Sequence, residues 1–387
     1  MIINTKKILL FILFIFSCVL KLKILILKNK DDFSEMEKFT MNNMKGYSKF
    51  SKLKYLKFKF PKISIVITVF NGEGYIKPVL RSIQNQDFLS LEIIIVDDCS
   101  LDNSVGLIKE LMKEDKRIIL ITNTENRGTL YSKTKGILCA IGKYVISLDH
   151  DNLYSTKFAF SILYEEAEKY NVDYLGFSSI VTSFDMHHLK DEQFKNYIET
   201  PIINKPFIKE WYLNLKKTAE SSTSLCLYFI RTELLKNIIK KLGNEIINRK
   251  IDAGDDTILI FLLSRYANSL KHIKRILHLI FAWPMDNNPL LQFQNKNKKI
   301  YREQKKCMSI LTLIEVLLLF TENNFEDKNI AVVNFRGFYL SNKDCRSNRD
   351  KNIVILAEKI CKLFLENKYI EKSFKDEIKV YLSELKK

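Results

Sequence analysis

Five clusters of polar residues follow or precede apolar runs and are placed to do chemistry. Asp149-His150-Asp151 follows YVISL. Two carboxylates at i and i+2 just past a buried strand are costly unless a cation offsets them. A hard divalent ion of the Mg or Mn type, shared with phosphate oxygens, would do so. The competing reading is a loop with two solvated acids. His150 is read as a spacer, because an oxygen-seeking ion does not need it. Asp97-Asp98 follows IIIV; an acid at a strand end can accept from a base imide or a ribose hydroxyl, or it can serve a helix N-terminus. Thr68-Val69-Phe70-Asn71 closes another run, where Phe70 could stack on a base and Glu73 could reach a ribose. Lys133, with Asn126-Arg127-Gly128 before it, offers positive charge to a diphosphate, whereas Lys135 and still more Lys143 read as a solvated helix face. Asp255-Asp256 lies about 105 residues past the first acidic cluster, ahead of an apolar helix. It reads as a general base for a hydroxyl or as an N-cap pair.

These clusters need elements that bring them to one edge. Ile63 to Phe70, Leu91 to Val96, Arg117 to Thr122 and Lys143 to Leu148 read as strands, continuous in Ile, Val and Leu as strands buried on both faces are. Helices are expected between them, over Tyr75 to Gln86, from Asp102-Asn103-Ser104 onward, and over Thr129 to Ile141. Asp102-Asn103-Ser104 itself reads as capping. The β-α-β alternation implies a parallel sheet, and ligands gather at the carboxyl ends of such strands. A helix over Lys157 to Tyr170, a strand over Asp173 to Thr182, a short strand over Ser224 to Ile230 and helices over Thr232 to Leu242 and Thr257 to Tyr266 follow. Tyr301 to Thr321 and Lys351 to Lys387 are helical by period.

A chain of 387 residues bounds the answer at two domains, or one large α/β domain with an appendage. The net charge is +17, but the lysines are spread evenly, with no arginine-rich block and no basic helix with interleaved aromatics. That argues against nucleic acid as a partner. Seven cysteines, none in a CxxC pair, form neither a disulfide framework nor a zinc pattern. Buried thiols are expected, with a Cys345–Cys361 bridge as the alternative. Lys6 and Lys7 precede a thirteen-residue apolar run, Ile8 to Leu20, which resumes at Ile24 to Leu27. A single-pass signal-anchor is expected over 1–30, with a cleaved signal and then a buried N-terminal helix as the alternatives. A linker follows over 31–60. The location expected is a membrane of the ER or Golgi, with the side of the catalytic domain open.

The ordered set ISIVITVFNGEGYI, EIIIVDDCSLDNS, ENRGTLYSKTKGILCAIGKY and SLDHDN resembles the family-two glycosyltransferases of GT-A fold. The likeness continues more faintly through LCLYFIRTELL and GDDTILIFLL, the second of which is similar to that family's ED motif with Asp255 in place of Glu. The resemblance implies a GT-A domain over 61–290, donor-binding over 61–155 and acceptor-facing over 156–290, with a helical region over 291–387. It also implies transfer of a sugar from a nucleotide-sugar to an acceptor hydroxyl of a glycan, lipid or protein, with inversion. Asp256 would be the base, Asp151 helped by Asp149 would hold Mn or Mg, and Asp98 with Thr68 would hold the nucleobase, Asp97 in support. The alternative is a nucleotide-sugar-binding protein of the same fold without catalysis.

Overall fold

The computed structural model describes residues 57–182, 194–195, 198–208, 224–251, 254–281, 297–320, 351–367 and 370–385, with single positions at 38, 332 and 335. The expected membrane segment over 1–30 and most of the linker lie outside the described residues. Among the described residues no helix is long and apolar enough to cross a membrane.

The first half is built as its apolar runs require. Strands β1 (Ile63–Val69) and β2 (Leu91–Asp97) are buried at every position. Burying each such Ile or Val contributes about 1.5–3 kcal/mol, which explains why these runs settle at the centre of the sheet. Between and after them come α1 (Ile76–Gln84), α2 (Ser104–Glu114), β3 (Ile118–Thr122), α3 (Thr129–Cys139) and β4 (Tyr144–Asp149). The β1–β2, β1–β4 and β2–β3 pairs are parallel, so the polar residues that end β1, β2 and β4 share one edge. Helix α3 lies against β1 and β2. Gly136 permits the approach, since a Cβ there would stand 2.5 Å from Val66 Cγ1 and 3.0 Å from Val96 Cγ2.

The second half departs from a mostly parallel sheet. It adds β5 (Leu153–Tyr154), α4 (Ala159–Tyr170), β6 (Tyr174–Thr182), β7 (Phe194–Lys195), β8 (Ile203–Asn204), β9 (Tyr228–Arg231), α5 (Thr232–Leu242), α6 (Asn244–Ile247), α7 (Asp255–Tyr266) and β10 (Ser269–Phe281). The sheet order is β3-β2-β1-β4-β9-β6-β10-β5, with β7 on β6 and β8 on β10. Strand β9 runs antiparallel to both β4 and β6, and β10 runs antiparallel to β5 and β8 while pairing in parallel with β6. The sheet is therefore mixed. An apolar run buried on both faces reads the same whether its neighbour is parallel or antiparallel, so composition did not announce the change.

Three helices close the described chain: α8 (Asn297–Phe320), α9 (Lys351–Glu366) and α10 (Lys372–Leu385). Helix α8 packs on α7 and α9, and α9 on α10. An ion network ties them to the sheet domain. Glu315 on α8 is fully buried and pairs with Arg249 and, at 2.8 Å, with Lys359 on α9. Glu245 on α6 takes both cations from outside, at 3.0 Å from Arg249 and 2.8 Å from Lys359. Cys361 is a buried free thiol, which excludes the Cys345–Cys361 bridge, whereas Cys307 on α8 is disulfide-bonded, against the expectation of thiols throughout.

Candidate active site

A half-open cleft of about 220 Å³ lies at the carboxyl edge of the parallel strands. Thr68, Phe70, Asp98, Asn126, Thr129 and His150 line it, with Val69 and Ser132. Phe70 is 40% exposed and offers its ring to the cleft. Thr68 is buried beside Asp149, its register partner in the sheet. His150, expected only as a spacer between the two acids, stands in the wall of the cleft. Its ring stands 6.2 Å from that of Tyr75, and a Cβ at position 72 would come within 2.8 Å of His150 Cδ2. Gly72 leaves the room that the His150 ring takes up.

The loop after β1 and the loop after β2 are laced together. Asn71 N–H donates to Ser100 Oγ at 2.9 Å, Gly72 N–H to Ser104 Oγ at 2.8 Å, and Leu101 N–H to Asn71 Oδ1 at 2.8 Å. Asn71 holds a left-handed φ of 52°, a conformation Asn tolerates. Glu73 N–H donates to Asp102 Oδ2 at 2.9 Å, and Glu73 Oε2 in turn accepts from Asn103 N–H at 3.1 Å. Glu73 therefore serves the start of α2 and does not line the cleft. Asp102 also accepts from Ser104 N–H, the first of α2, at 3.0 Å, while the N-cap residue Asn103 makes no side-chain cap.

Asp97 and Asp98 are both buried, and both accept hydrogen bonds from N–H groups of the neighbouring loops. The Asp97 carboxylate accepts from Ser100 N–H at 3.3 Å. Asp98 Oδ1 accepts from Arg127 N–H and Asn123 Nδ2, and Asp98 Oδ2 accepts from Gly128 N–H, each at 2.8 Å. Gly128 adopts φ +88°, the left-handed region that admits glycine without strain. Asp98 thus shapes the Asn126–Gly128 wall of the cleft through three hydrogen bonds. Asn126 was in a cluster singled out by its sequence, whereas Asn123, Thr129 and Ser132 were not. The available signal was position: each lies just past β3 or in the first turns of α3, at the same edge as the acids.

Asp255 and Asp256 reach this edge from the distant part of the chain. Arg127 Nη2 donates to Asn248 Oδ1 at 2.9 Å, and Leu130 N–H to Ile251 O at 3.1 Å, which ties the segment before α7 to the start of α3. Gly254, at φ +80°, turns the chain into α7 with both acids in its first turn. Lys133, on α3, meets them. Its Nζ is 2.7 Å from Asp255 Oδ2, pairs with Asp256 Oδ1, and lies 3.9 Å from Asp149 Oδ1. Burial opposes charge on Lys133, but Asp255, Asp256 and Asp149 outweigh it and hold the ammonium well above its ordinary range. Burial lifts the Asp256 carboxyl to about 7, with Lys133 opposing and Asp255 and Asp149 adding to the rise. The second Asp256 oxygen accepts from Leu225 N–H at 2.9 Å. Cys226, beside it, is buried, and burial followed by Asp149 and Asp256 pushes its thiol well up, which leaves it unreactive.

Asp149 keeps 37% of its side chain exposed at the end of β4. Burial and then Asp149 raise the Asp151 carboxyl, with His150 opposing. A half-open acid pair of this kind suits a hard cation. Among the described residues no cluster of three His, Cys, Asp or Glu side chains could hold an ion by itself. Asp149 and Asp151 would hold one together with oxygens from a phosphate-bearing ligand, the usual manner of Mg²⁺.

The mixed sheet, with its cleft at the ends of the parallel strands, has a GT-A-like α/β arrangement. Residues 64–229 match the model for glycosyl transferase family 2. It is 38% identical over 93 residues to the GalNAc(5)-diNAcBac-PP-undecaprenol beta-1,3-glucosyltransferase of Campylobacter jejuni, covering 24% of this chain and 30% of that protein. It is 29% identical over 219 residues to glycosyltransferase GlyA of Streptococcus pneumoniae, covering 54% of this chain and 31% of that protein. The chain thus spans under a third of the length of these curated relatives. The crystal structure of S. aureus TarS 1-349 in complex with UDP-GlcNAc superposes with a TM-score of 0.57 over 84% of this chain and 89% of that one, at 14% identity, which is a likeness of fold.

Proposed function

We propose that the protein transfers a sugar from a nucleotide-diphospho-sugar to an acceptor hydroxyl, with inversion and with the help of Mn or Mg. One observation carries the reading: Asp255-Asp256 comes back over the sheet edge to stand with Asp149 around Lys133. Ser132, the neighbour of Lys133, and Thr68, the register partner of Asp149, both line the cleft. Asp149 and the base candidate's partner Lys133 therefore stand next to residues that line the cleft.

In this reading the nucleobase lies against Phe70 and Thr68, in a wall kept in shape by Asp98. The Asp256 carboxylate removes the proton from the acceptor hydroxyl. The acceptor oxygen bonds to the anomeric carbon as the bond from that carbon to the diphosphate oxygen breaks, the electron pair leaving with the diphosphate. A carboxyl held near 7 is deprotonated often enough at neutral pH to act as base and is basic enough to do so efficiently. When bound, a divalent cation held by Asp149 and Asp151 would neutralise charge on the departing diphosphate. The acceptor is a glycan, lipid or protein hydroxyl, and the N-terminal apolar segment anchors the chain to a membrane, which extraction of the native membranes with carbonate would check.

The test is a panel of nucleotide-sugars with Mn or Mg, read as release of nucleoside diphosphate. UDP-sugars come first, because the TarS neighbour was crystallised with UDP-GlcNAc. Metal-dependent release that Asp151→Ala and Asp256→Asn both abolish supports the reading. Turnover unchanged in both variants sinks it.

A further inference from the structure

Lys133 is where the donor edge and the returning acids meet, and its surroundings speak against the diphosphate contact that its sequence position suggested. Its side chain is only 2% exposed. Its ammonium already faces Asp255 at 2.7 Å, Asp256 closer still, and Asp149 at 3.9 Å. An ammonium has three hydrogens to give. To turn toward a diphosphate it would have to leave two close carboxylates in a buried setting, where an unpaired charge is expensive. Its height over the sheet is also fixed from below, because Gly136, one turn along α3, seats the helix on Val66 and Val96.

We propose that Lys133 is a positioning residue for the Asp255–Asp256 pair and not a ligand of the donor diphosphate. Without its charge, the two acids of α7 and the partly exposed Asp149 are left with no cation between them. Their repulsion would swing Asp256 off the Leu225 N–H that aims it. The proposal rests on reading Asp256 as the base, but its physical content, that Lys133 holds the α7 acids, stands apart from any turnover.

Three measurements on the full chain separate the possibilities, with Lys133→Met, Lys133→Arg, Asp255→Asn/Asp256→Asn, and Lys133→Met combined with the double Asn change. The first is a thermal-melting cycle. Lys133→Met should lower Tm, and the added Asn pair should restore it, because removing the acids removes the need for the cation. The second is calorimetric binding of UDP with Mn, which Lys133→Met should weaken by less than about threefold. The third is steady-state kinetics, where Lys133→Met should lower kcat by about 100-fold or more with donor KM little changed and Lys133→Arg recovering part of the loss. A UDP affinity lost by about tenfold or more with Tm unmoved would make Lys133 a diphosphate ligand and overturn the proposal. So would a Lys133→Met chain whose folding or Tm the Asn pair fails to restore. If the wild-type chain neither binds UDP nor turns over any donor, the transferase reading fails, and the melting cycle still decides whether Lys133 holds the α7 acids.

Discussion

The backbone N–H of Leu225 donates to Asp256 Oδ2 at 2.9 Å, across 31 positions of chain. That bond leaves Asp256 with one oxygen fixed by the 3-10 turn before β9 and the other by Lys133. Asp256→Asn keeps the shape and removes the basicity. It should lower turnover by about 10²–10⁴-fold with donor KM little altered, read from nucleoside diphosphate release.

The pH dependence follows with a definite sign. A base is active when deprotonated, so with Asp256 near 7 the rate should climb as pH rises from about 6 to about 8 and then level. Stability should move the other way. The folded carboxyl binds its proton more tightly than the unfolded one, so its contribution is full below the ordinary Asp value and is lost as pH rises through 7. In Asp256→Asn both the rate limb and that share of the stability slope should vanish, the first measured by kcat/KM and the second by melting at several pH values.

Asp98→Asn tests whether this acid builds the cleft wall. The amide can still accept through its one neutral oxygen, so both N–H groups lose the charge and either Gly128 or Arg127 loses its acceptor altogether. Hydrogen bonds to charged groups contribute about 1.5–3 kcal/mol each. Urea unfolding should show a loss of about that size, with weakened nucleotide binding. Binding lost with stability intact would assign Asp98 to the base directly.

Gly136→Ala tests the seat of α3. Its added methyl would stand 2.5 Å from Val66 Cγ1, inside a core that cannot open cheaply. Overpacking of this kind costs about 1–3 kcal/mol. Urea unfolding should report that loss, and because α3 carries Lys133, activity at low temperature should fall as well.

Glu315→Ala tests the tie between the C-terminal helices and the segment leading to α7. It would leave Arg249 in a largely buried position without its fully buried partner. Breaking such a pair costs about 3–5 kcal/mol; Lys359, half exposed, can return to water, so the lower end is expected. Chemical denaturation measures it, and limited proteolysis should then cut near α8.

Chelation tests the acid pair at 149 and 151. Removal of divalent ions should abolish nucleoside diphosphate release, and Mn or Mg should restore it. Asp151→Ala should raise the metal concentration needed by about tenfold or more. Unchanged activity in chelator would remove the metal from the mechanism.

Much of this protein was legible before folding. The Ile and Val runs that became β1, β2 and β4 could be placed because strands buried on both faces must be continuously apolar, and their last residues then had to share an edge. Thr68, Phe70, Asp149 and Asp151 were picked out as candidates by that logic, and Asp255-Asp256 by its acids before an apolar helix. Tertiary structure decided what each side chain does there. Asp97, Asp98 and Glu73 have the residue types of ligand groups, yet their oxygens are taken by Ser100, Asn123, Arg127, Gly128 and Asn103, partners set by the path of loops that no local pattern encodes. Lys133 and Asp256 are 123 positions apart in sequence and in direct contact in space. Periodicity reports which face of an element is buried, whereas which two faces meet depends on the order and direction of strands in the sheet. Here that order includes an antiparallel β9 that the apolar runs could not reveal.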